Sequence, residues 1–341
     1  MKNDFAEKLM GFFTEYLSAE RGMSPNTLRS YGNAFASYLD FMKAKRHVNA
    51  ENLTLAHLNR KNVTDLLEWL QETKGSSVST RNQRLAAIHA FCRYMQYVDV
   101  TRLQQWQEIL GIKMKKAIKA TMNYLSLDGV KLLLEQIPRD SMRGRRDLAL
   151  LSLLYETGAR VSELIGLRPV DVSLNKPSYV TLFGKGSKKR IVPIQDAEVT
   201  ILQTYMEENR LFEPRMNQRP LFQNGRGDKL TSAGITYILK NYATMARNSS
   251  EDLIPEVISP HCLRHSKAMH LLQAGVNLVY IRDILGHVSI QTTEVYARAD
   301  SKQKRAALES AYTDILPSDN ETSASWEADP ELKSWLKNLG K

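Results

Sequence analysis

The stretch SPHCLRHSKAMHLLQAGVNLVYIRDILGHVSIQTTEVYAR, residues 259–298, consists of helical segments separated by residues that start or end helices. Ser259 followed by Pro260 is typical of a helix start, because the hydroxyl caps a free amide and proline fits the first turn. Gly275 and Gly286 suit helix ends, where glycine adopts a left-handed backbone at little cost. The stretch therefore predicts a helix of about four turns followed by two shorter helices.

Polar residues that can do chemistry occupy distinct places in these segments. His261 and Arg264 are one turn apart at the start of the first helix, beside unpaired backbone amides that favour an anion. His287 is in the turn before the last helix, which we expect to begin near Ser289, and Tyr296 is on that helix. Structural histidines and tyrosines far outnumber reactive ones, so these residues acquire a function only in combination with others.

The first helix carries two more histidines, His265 and His270. Both lie off the stripe that begins with His261 and Arg264. A lone histidine on a mainly apolar helix is usually a structural residue. We therefore interpret His265 and His270 as structural.

Two upstream segments carry further cations that suit an anionic ligand. Arg160 follows a helix-ending Gly-Ala pair and precedes Glu163 by three residues, so its planar fork can be held for bidentate contact with phosphate oxygens. Lys185 lies between two glycines in SYVTLFGKGSKKRIVPI, a pattern that predicts a β-hairpin. Taken alone, a structural Arg–Glu pair and a solubilising lysine explain these segments equally well.

The N-terminal part, residues 4–100, has apolar residues at three- and four-residue spacing, which predicts a small all-α domain of about four helices. Ser24 and Pro25 start one of these helices. Basic residues on the polar faces, in the following linker and in the hairpin are either phosphate contacts or solvated charge. They are Arg29, Lys43, Arg81, Arg84, Lys115, Lys116, Lys188, Lys189 and Arg190.

Composition limits the class of protein. The 341 residues include 47 Lys and Arg against 37 Asp and Glu, giving a formal net charge of +10. The length predicts two domains, and the charge favours a polyanionic partner such as nucleic acid. Cys92 and Cys262 are too few and too far apart for a disulfide framework or a zinc site, which favours a reducing compartment. The charged N-terminus fits neither a signal peptide nor a membrane span, so we expect a cytoplasmic protein with no membrane partner. With nucleic acid as its partner, the protein would be nucleoid-associated.

Four motifs, ARVSE, GKGSKKR, HCLRH and LGHVSIQTTEVY, contain the candidate residues in order along the chain. Those residues are Arg160, Lys185, His261, Arg264, His287 and Tyr296. In these motifs the chain resembles the tyrosine recombinase (phage integrase) family, and SPNTLRSY resembles the family's N-terminal core-binding domain. The resemblance covers nearly the whole sequence. It departs from the family pattern at Lys267, where an aromatic residue is common, and at Arg298, where a histidine or another polar residue is common.

The resemblance implies that Tyr296 attacks a DNA phosphate, giving a 3′-phosphotyrosyl link and a free 5′-hydroxyl. Arg160 and Arg264 would bind the non-bridging oxygens, whose charge grows in the transition state. His287 would donate a further hydrogen bond to the phosphate. We expect attack within one subunit, because the turn at Gly286 keeps the two segments close.

The resemblance also implies two residues that transfer protons and one residue that supports the site. His261 is the best candidate to accept or relay the phenol proton, since a phenol with a pKa of about 10 is mostly protonated at neutral pH. Lys185 would protonate the leaving oxygen, and Glu163 would support the site. No compact carboxylate cluster accompanies these residues, so we expect no metal. No other cofactor is expected, because the covalent link conserves the energy of the broken bond without ATP.

The implied architecture is a two-domain DNA clamp, mainly α with a small antiparallel β-sheet (α+β) in the catalytic domain. The expected parts are an all-α core-binding domain over residues 1–112, a basic linker over 113–123, a catalytic domain over 124–316 and a C-terminal linker with an amphipathic helix over 317–341. That helix bears Leu332, Trp335, Leu336 and Leu339, and we favour its docking on a neighbouring protomer. Expected partners are double-stranded DNA with inverted-repeat sites, further copies of the chain as a dimer on one site and a tetramer in the synapse, and accessory DNA-bending proteins.

Two other functions use the same features. A type IB topoisomerase has a similar constellation, and a catalytically idle DNA-binding regulator would keep the fold. The spacing of HCLRH and LGHVSIQTTEVY and the small N-terminal helical domain favour a recombinase over a topoisomerase, and the six filled positions favour an enzyme. The sequence therefore predicts a site-specific recombinase for integration, excision or resolution of a mobile element or replicon.

Overall fold

The computed structural model describes residues 4–117, 122–184, 188–287 and 289–299. The chain divides into two compact units, residues 1–120 and 121–341. The described part of the first unit is helical. Its helices are α1 (Asp4–Gly11), which continues as a π-helical segment (Phe12–Glu20), α2 (Pro25–Arg46), α3 (Arg60–Glu72), α4 (Val78–Val98) and α5 (Leu103–Leu110), with 3-10 turns at Ala50–Asn52, Leu55–His57 and Val100–Arg102.

Aromatic residues form the centre of the first unit. Phe12, Phe35 and Phe91 are buried, and the ring of Phe91 lies edge-on to the other two at centroid distances of 5.3 and 5.4 Å. The Ser24 hydroxyl accepts a hydrogen bond from the backbone amide of Thr27 at 3.3 Å, which confirms the predicted start of α2. The apolar spacing of the sequence therefore gives the all-α unit that it predicts.

The second unit is helical with one small sheet. Its helices are α6 (Leu127–Glu135), α7 (Met142–Thr157), α8 (Val161–Ile165), α9 (Asp196–Glu208), α10 (Ser232–Ser249), α11 (Pro260–Gln273), α12 (Leu278–Leu285) and α13 (Ile290–Ala299), with 3-10 turns at Pro169–Asp171, Pro214–Met216 and Glu251–Leu253. Within the described parts of the chain, no helix combines the length and apolar character needed to cross a bilayer.

The sheet has the order β1 (Val172–Ser173), β2 (Tyr179–Phe183), β3 (Lys189–Pro193), and both pairings are antiparallel. Strands β2 and β3 confirm the predicted hairpin, with Tyr179 opposite Pro193 and Phe183 opposite Lys189. Strand β1 was not predicted, because two residues are too few to show the alternation of a strand. The fold class, mainly α with a small antiparallel sheet, is confirmed.

Helix α7 passes through the core of the second unit. Leu150, Leu151, Leu153 and Leu154 are all fully buried, so the helix is apolar on nearly every side. A smaller buried cluster joins α11, α12 and α13, and it includes Leu285 and Tyr296. Leu285 of this cluster packs against Gly158 at the C-terminal end of α7.

Candidate active site

The corner between α7 and α8 presents the first arginine of the site. Gly158 ends α7 with a left-handed backbone, φ 56°, and a side chain there would place its Cβ 2.6 Å from Leu285 Cδ2. Arg160 follows with an extended backbone and is the N-cap residue of α8. A glycine is therefore required both for the turn and for the close packing of α12 against it.

The buried carboxylate of Glu163 holds two arginines. Arg160 donates from Nη1 at 2.9 Å and from its backbone amide at 2.8 Å. Arg190 of β3 donates from Nη1 and Nη2 at 2.9 and 2.7 Å. Burial alone would raise the pKa of Glu163, but the hydrogen bonds from Arg190 and Arg160 outweigh burial, and the pKa lies below its ordinary value. Glu163 thus remains a carboxylate and fixes both guanidinium groups.

Arg264 of α11 is buried, with 3% of its surface exposed. Its Nη1 donates to the Gly158 carbonyl oxygen at 2.6 Å, and its Nη2 donates to the Leu285 carbonyl oxygen at 2.7 Å. Burial, followed by the positive charge of Arg160, lowers the pKa of Arg264 to about 10, so the group is still a cation at neutral pH. A guanidinium group has five N–H donors, so Arg264 can bind an anion in addition to these two carbonyl groups.

Three arginines from separate elements meet at the end of α12. Arg190 Nε donates to the carbonyl oxygen of Ile284 at 2.9 Å, and Arg160 Nη2 donates to that of Gly286 at 3.3 Å. With the bond from Arg264 to Leu285, three successive carbonyl groups are satisfied. The last carbonyls of a helix lack partners within it, so they attract cations. The end of α12 therefore assembles a strongly positive site directly before His287.

Tyr296 of α13 is 3% exposed, and its hydroxyl lies 3.0 Å from Nδ1 of His265 on α11. Burial raises the pKa of Tyr296, and the nearby charges of Arg264 and Arg160 oppose this effect. The interpretation of His265 as a structural residue overlooked this contact. A signal was present in the sequence, because His261 and His265 are four residues apart on one helix and thus share a face.

His261 and His287 lie beside His265 and Tyr296. His261 is the more exposed one, and its ring centroid is 6.3 Å from that of His265. The ring of His287 is nearly parallel to that of Tyr296, with centroids 6.2 Å apart, and its Nδ1 lies 2.9 Å from Thr293 Oγ1. Burial, followed by the charges of Arg264 and Arg160, lowers the pKa of His287 to about 4, so its ring is neutral at pH 7.

Lys185 at the hairpin tip lies outside the described residues, as do its two successors. On either side of the tip, the Gly184 amide donates to the Lys188 carbonyl oxygen at 2.9 Å. A cavity of about 490 Å³ lies between the hairpin and the end of α12, and its lining includes Arg160, Lys188 and His287. A cavity with this cationic lining can accept a phosphate group.

The residues predicted to contact DNA fall into two groups. Six of them are exposed: Arg29, Lys43, Lys115, Lys116, Lys188 and Lys189. The other three do not lie free on the surface. Arg81 is only 6% exposed and donates to Asn82 at 2.9 Å, so its prediction as an exposed phosphate contact is corrected. Arg190 is engaged as described above, and Arg84 is half-buried with Nη1 3.4 Å from the Ser30 carbonyl oxygen.

The chain matches two family models and is similar to curated proteins. Residues 123–303 match the model of the phage integrase family, and residues 12–96 match that of the phage integrase N-terminal SAM-like domain. The tyrosine recombinase XerD of Oceanobacillus iheyensis is 35% identical over 307 residues, which cover 89% of this chain and 97% of that protein. The tyrosine recombinase XerC of Thermodesulfovibrio yellowstonii is 29% identical over 294 residues, covering 85% and 91% of the two chains.

Solved structures of low sequence identity share the fold. The Tn1549 transposon integrase in complex with circular intermediate DNA has a TM-score of 0.66 at 18% identity, with 88% of this chain and 98% of that chain covered. The XerH site-specific recombinase bound to palindromic difH substrate has a TM-score of 0.65 at 21% identity, with 84% and 80% covered.

Proposed function

This chain belongs to the phage integrase family and is a site-specific tyrosine recombinase, and on that premise we propose that Tyr296 is its nucleophile. The supporting observation is the convergence of Arg160 and Arg264 on the adjacent carbonyl groups of Gly286 and Leu285. The two cations come from different helices, yet they meet beside the turn that leads to α13. A DNA phosphate bound by both would lie within reach of the same subunit's tyrosine, so attack takes place in cis.

The two arginines would supply most of the stabilisation of the transition state. Charge develops on the non-bridging oxygens when the phenol oxygen of Tyr296 bonds to phosphorus. One fixed donor at such a position contributes about 3 kcal/mol or more. Arg160 is fixed by Glu163, and Arg264 is fixed by two carbonyl groups, so little reorganisation is needed at the moment of reaction.

The remaining members of the site would bind the phosphate and move protons. His287 and His261 would donate hydrogen bonds to the phosphate, and His261 would also relay the phenol proton. Lys185 would protonate the departing 5′-oxygen. The reaction stores the energy of the broken bond in the phosphotyrosyl ester, so a second 5′-hydroxyl can reverse it at another DNA end. Glu163 would act through the two arginines that it holds.

The division of the chain fits recognition of a duplex. Residues 1–112 would form the core-binding domain, 113–123 a basic linker along the DNA and 124–316 the catalytic domain. The exposed side chains of Lys115 and Lys116 in that linker, and of Lys188 and Lys189 in the hairpin, support phosphate contacts. The partner is double-stranded DNA with inverted-repeat sites, with accessory DNA-bending proteins setting direction, and the complex forms on the nucleoid in the cytoplasm.

Strand exchange between two sites would require four protomers, with a dimer on each site. Residues 317–341 lie outside the described residues, and their stripe of Leu332, Trp335, Leu336 and Leu339 needs an apolar groove. We place that groove on a neighbouring protomer. Deleting residues 317–341 should leave binding to one half-site unchanged and abolish cooperative binding to the paired sites, as measured by native mass spectrometry of the DNA complexes.

The nucleophile is tested with a suicide DNA substrate that carries the protein's own site. That site is first mapped by footprinting on the DNA that flanks its gene. The native chain should form a covalent complex whose DNA-linked peptide contains Tyr296, and Tyr296→Phe should bind the DNA with native affinity and form none. A covalent complex with Tyr296→Phe, or a linked peptide from elsewhere in the chain, would refute the assignment.

A further inference from the structure

We propose that His265 is the immediate proton acceptor of Tyr296 and that His261 relays the proton from it. The inference rests on the proposed role of Tyr296 as nucleophile. Nδ1 of His265 is 3.0 Å from the tyrosine hydroxyl, and the two ring centroids are 5.7 Å apart. A proton acceptor must lie within hydrogen-bond reach of the proton that it takes, and His265 meets that condition.

The surroundings of His265 determine the direction of this hydrogen bond. The groups that act on it are His261 and Arg264 on α11, Tyr296 on α13 and His287 in the turn before α13. Burial, followed by the charges of His261 and Arg264, lowers the pKa of His265 to about 4. The ring is neutral at pH 7, so the phenol donates and Nδ1 accepts, with the ring proton assigned to Nε2.

His287 and His261 are positioned for roles other than direct acceptance of the phenol proton. His287 directs Nδ1 to Thr293 at 2.9 Å and lies with its ring parallel to the tyrosine ring. His261 is exposed whereas His265 is half-buried, and the centroids of their rings are 6.3 Å apart. From there it can take a proton from His265 and pass it to solvent. The order Tyr296, His265, His261 therefore leads from the buried hydroxyl to the surface.

Binding of DNA would activate this pair. In the free protein the phenol pKa is raised while that of His265 is about 4, so the proton stays on Tyr296. Burial and the charges of His261 and Arg264 hold the pKa of His265 down, and a phosphate anion beside Arg264 would offset the part that is due to charge. The bond from the phenol oxygen to phosphorus then forms as the bond from phosphorus to the 5′-oxygen breaks. The phenol proton passes to Nδ1 of His265, and Lys185, the proposed general acid, protonates the 5′-oxygen.

The test compares two substitutions at His265 with a matched one at His261. His265→Phe removes the acceptor and keeps a ring of similar size, whereas His265→Asn keeps an acceptor near the position of Nδ1 that does not take up a proton. We expect both to slow formation of the covalent complex on the suicide substrate by about 10²-fold or more, with native DNA affinity. His261→Asn should slow it less.

A more acidic nucleophile separates proton transfer from positioning. Replacing Tyr296 by trifluorotyrosine, whose hydroxyl ionises more readily, should recover at least tenfold of the rate in His265→Asn and little in the native chain or in His261→Asn. The proposal is overturned if His265→Asn alone cleaves at the native rate, or if the rescue is confined to His261→Asn. Should His265→Phe fail to fold, the Asn variant decides. A covalent complex formed by Tyr296→Phe would instead refute the proposed function.

Discussion

Arg190 binds both carboxylate oxygens of Glu163, at 2.9 and 2.7 Å from its two terminal nitrogens. The side chains are 11% and 2% exposed, so solvent screens the pair little. The third donor of Arg190, Nε, binds the Ile284 carbonyl oxygen. Arg190 therefore links β3 to α8 through Glu163 and to α12 through Ile284.

Replacing Arg190 should therefore lower the stability of the fold more than it weakens DNA binding. We expect Arg190→Ala to lower the free energy of unfolding by about 3 kcal/mol, because it leaves a buried carboxylate with Arg160 as its remaining cationic partner. Lys189→Ala is the matched control, since Lys189 is exposed: it should keep the native melting temperature and reduce the slope of log affinity against log salt by about one. A reduced slope with native melting in Arg190→Ala would show instead that Arg190 contacts phosphate.

The guanidinium group of Arg264 should contribute more to DNA cleavage than to DNA binding. Arg264→Lys keeps the charge and loses the two bonds to the Gly158 and Leu285 carbonyl oxygens that aim the group. We expect single-turnover cleavage to fall by about 10²- to 10³-fold. DNA affinity, followed by fluorescence anisotropy, should change by less than about tenfold, because many other cations would contact the duplex. Equal losses of binding and cleavage would contradict a role confined to the transition state.

A substitution at Gly286 tests how closely Arg190 packs against the end of α12. It has φ 64°, and an added Cβ would lie 2.9 Å from Arg190 Nη1. Gly275 also has a positive φ, 81°, but open space around it, so Gly275→Ala is the control for backbone strain alone. We expect about 1–2 kcal/mol of destabilisation from strain in both variants and a loss of cleavage confined to Gly286→Ala. Similar cleavage by the two variants would show that the displacement of Arg190 has no consequence for the site.

A buried carboxyl gives the protein a pH-dependent stability. Glu198 of α9 accepts a hydrogen bond from Ser152 Oγ at 3.1 Å, and burial raises its pKa from 4.5 to about 8. The unfolded chain releases this proton above pH 4.5 while the folded chain keeps it. Stability should therefore fall as pH rises from 4.5 to about 8, by about 5 kcal/mol at most.

Glu198→Gln removes this titration and retains an acceptor for Ser152. Its unfolding free energy in urea should exceed that of the native chain by several kcal/mol at pH 8.5 and by much less at pH 5. An equal difference at the two pH values would mean that Glu198 does not keep its proton in the folded state.

Cleavage should need no added cofactor. The proposed chemistry relies on arginines, histidines and a lysine for charge and proton transfer, and the covalent ester preserves the bond energy. We expect formation of the covalent complex to proceed at the same rate in excess EDTA and without ATP, once ionic strength is matched. A rate restored by adding Mg²⁺ to the EDTA-treated protein would contradict this mechanism.

Local features of the fold could be predicted because they depend on a few neighbouring residues. The Ser24 hydroxyl caps α2 by accepting a hydrogen bond from the amide three residues later, and Gly158 and Gly286 end helices through a backbone conformation that other residues resist. Apolar spacing predicted the all-α first unit, and two β-rich segments on either side of a Gly-Lys-Gly sequence predicted the β2–β3 hairpin.

The contacts within the site could not be predicted in this manner. Arg190 appeared as one more basic residue of the hairpin, and its position against Glu163 depends on how β3 packs beside α8. The sequence predicts Arg81 on a polar face, but the residue is buried, because helix periodicity gives a face and not what covers it. Hydrogen-bond partners far apart in sequence are set by packing.

The sequence by itself determined the all-α first unit, the β2–β3 hairpin, the family and the candidate residues other than His265, because these depend on short-range sterics and on motif order. The tertiary structure alone decided that three arginines share the end of α12 and that the Tyr296 hydroxyl meets His265, thirty-one residues away in the chain. Those contacts arise from the packing of α11, α12 and α13 around one small apolar cluster, which no local pattern specifies.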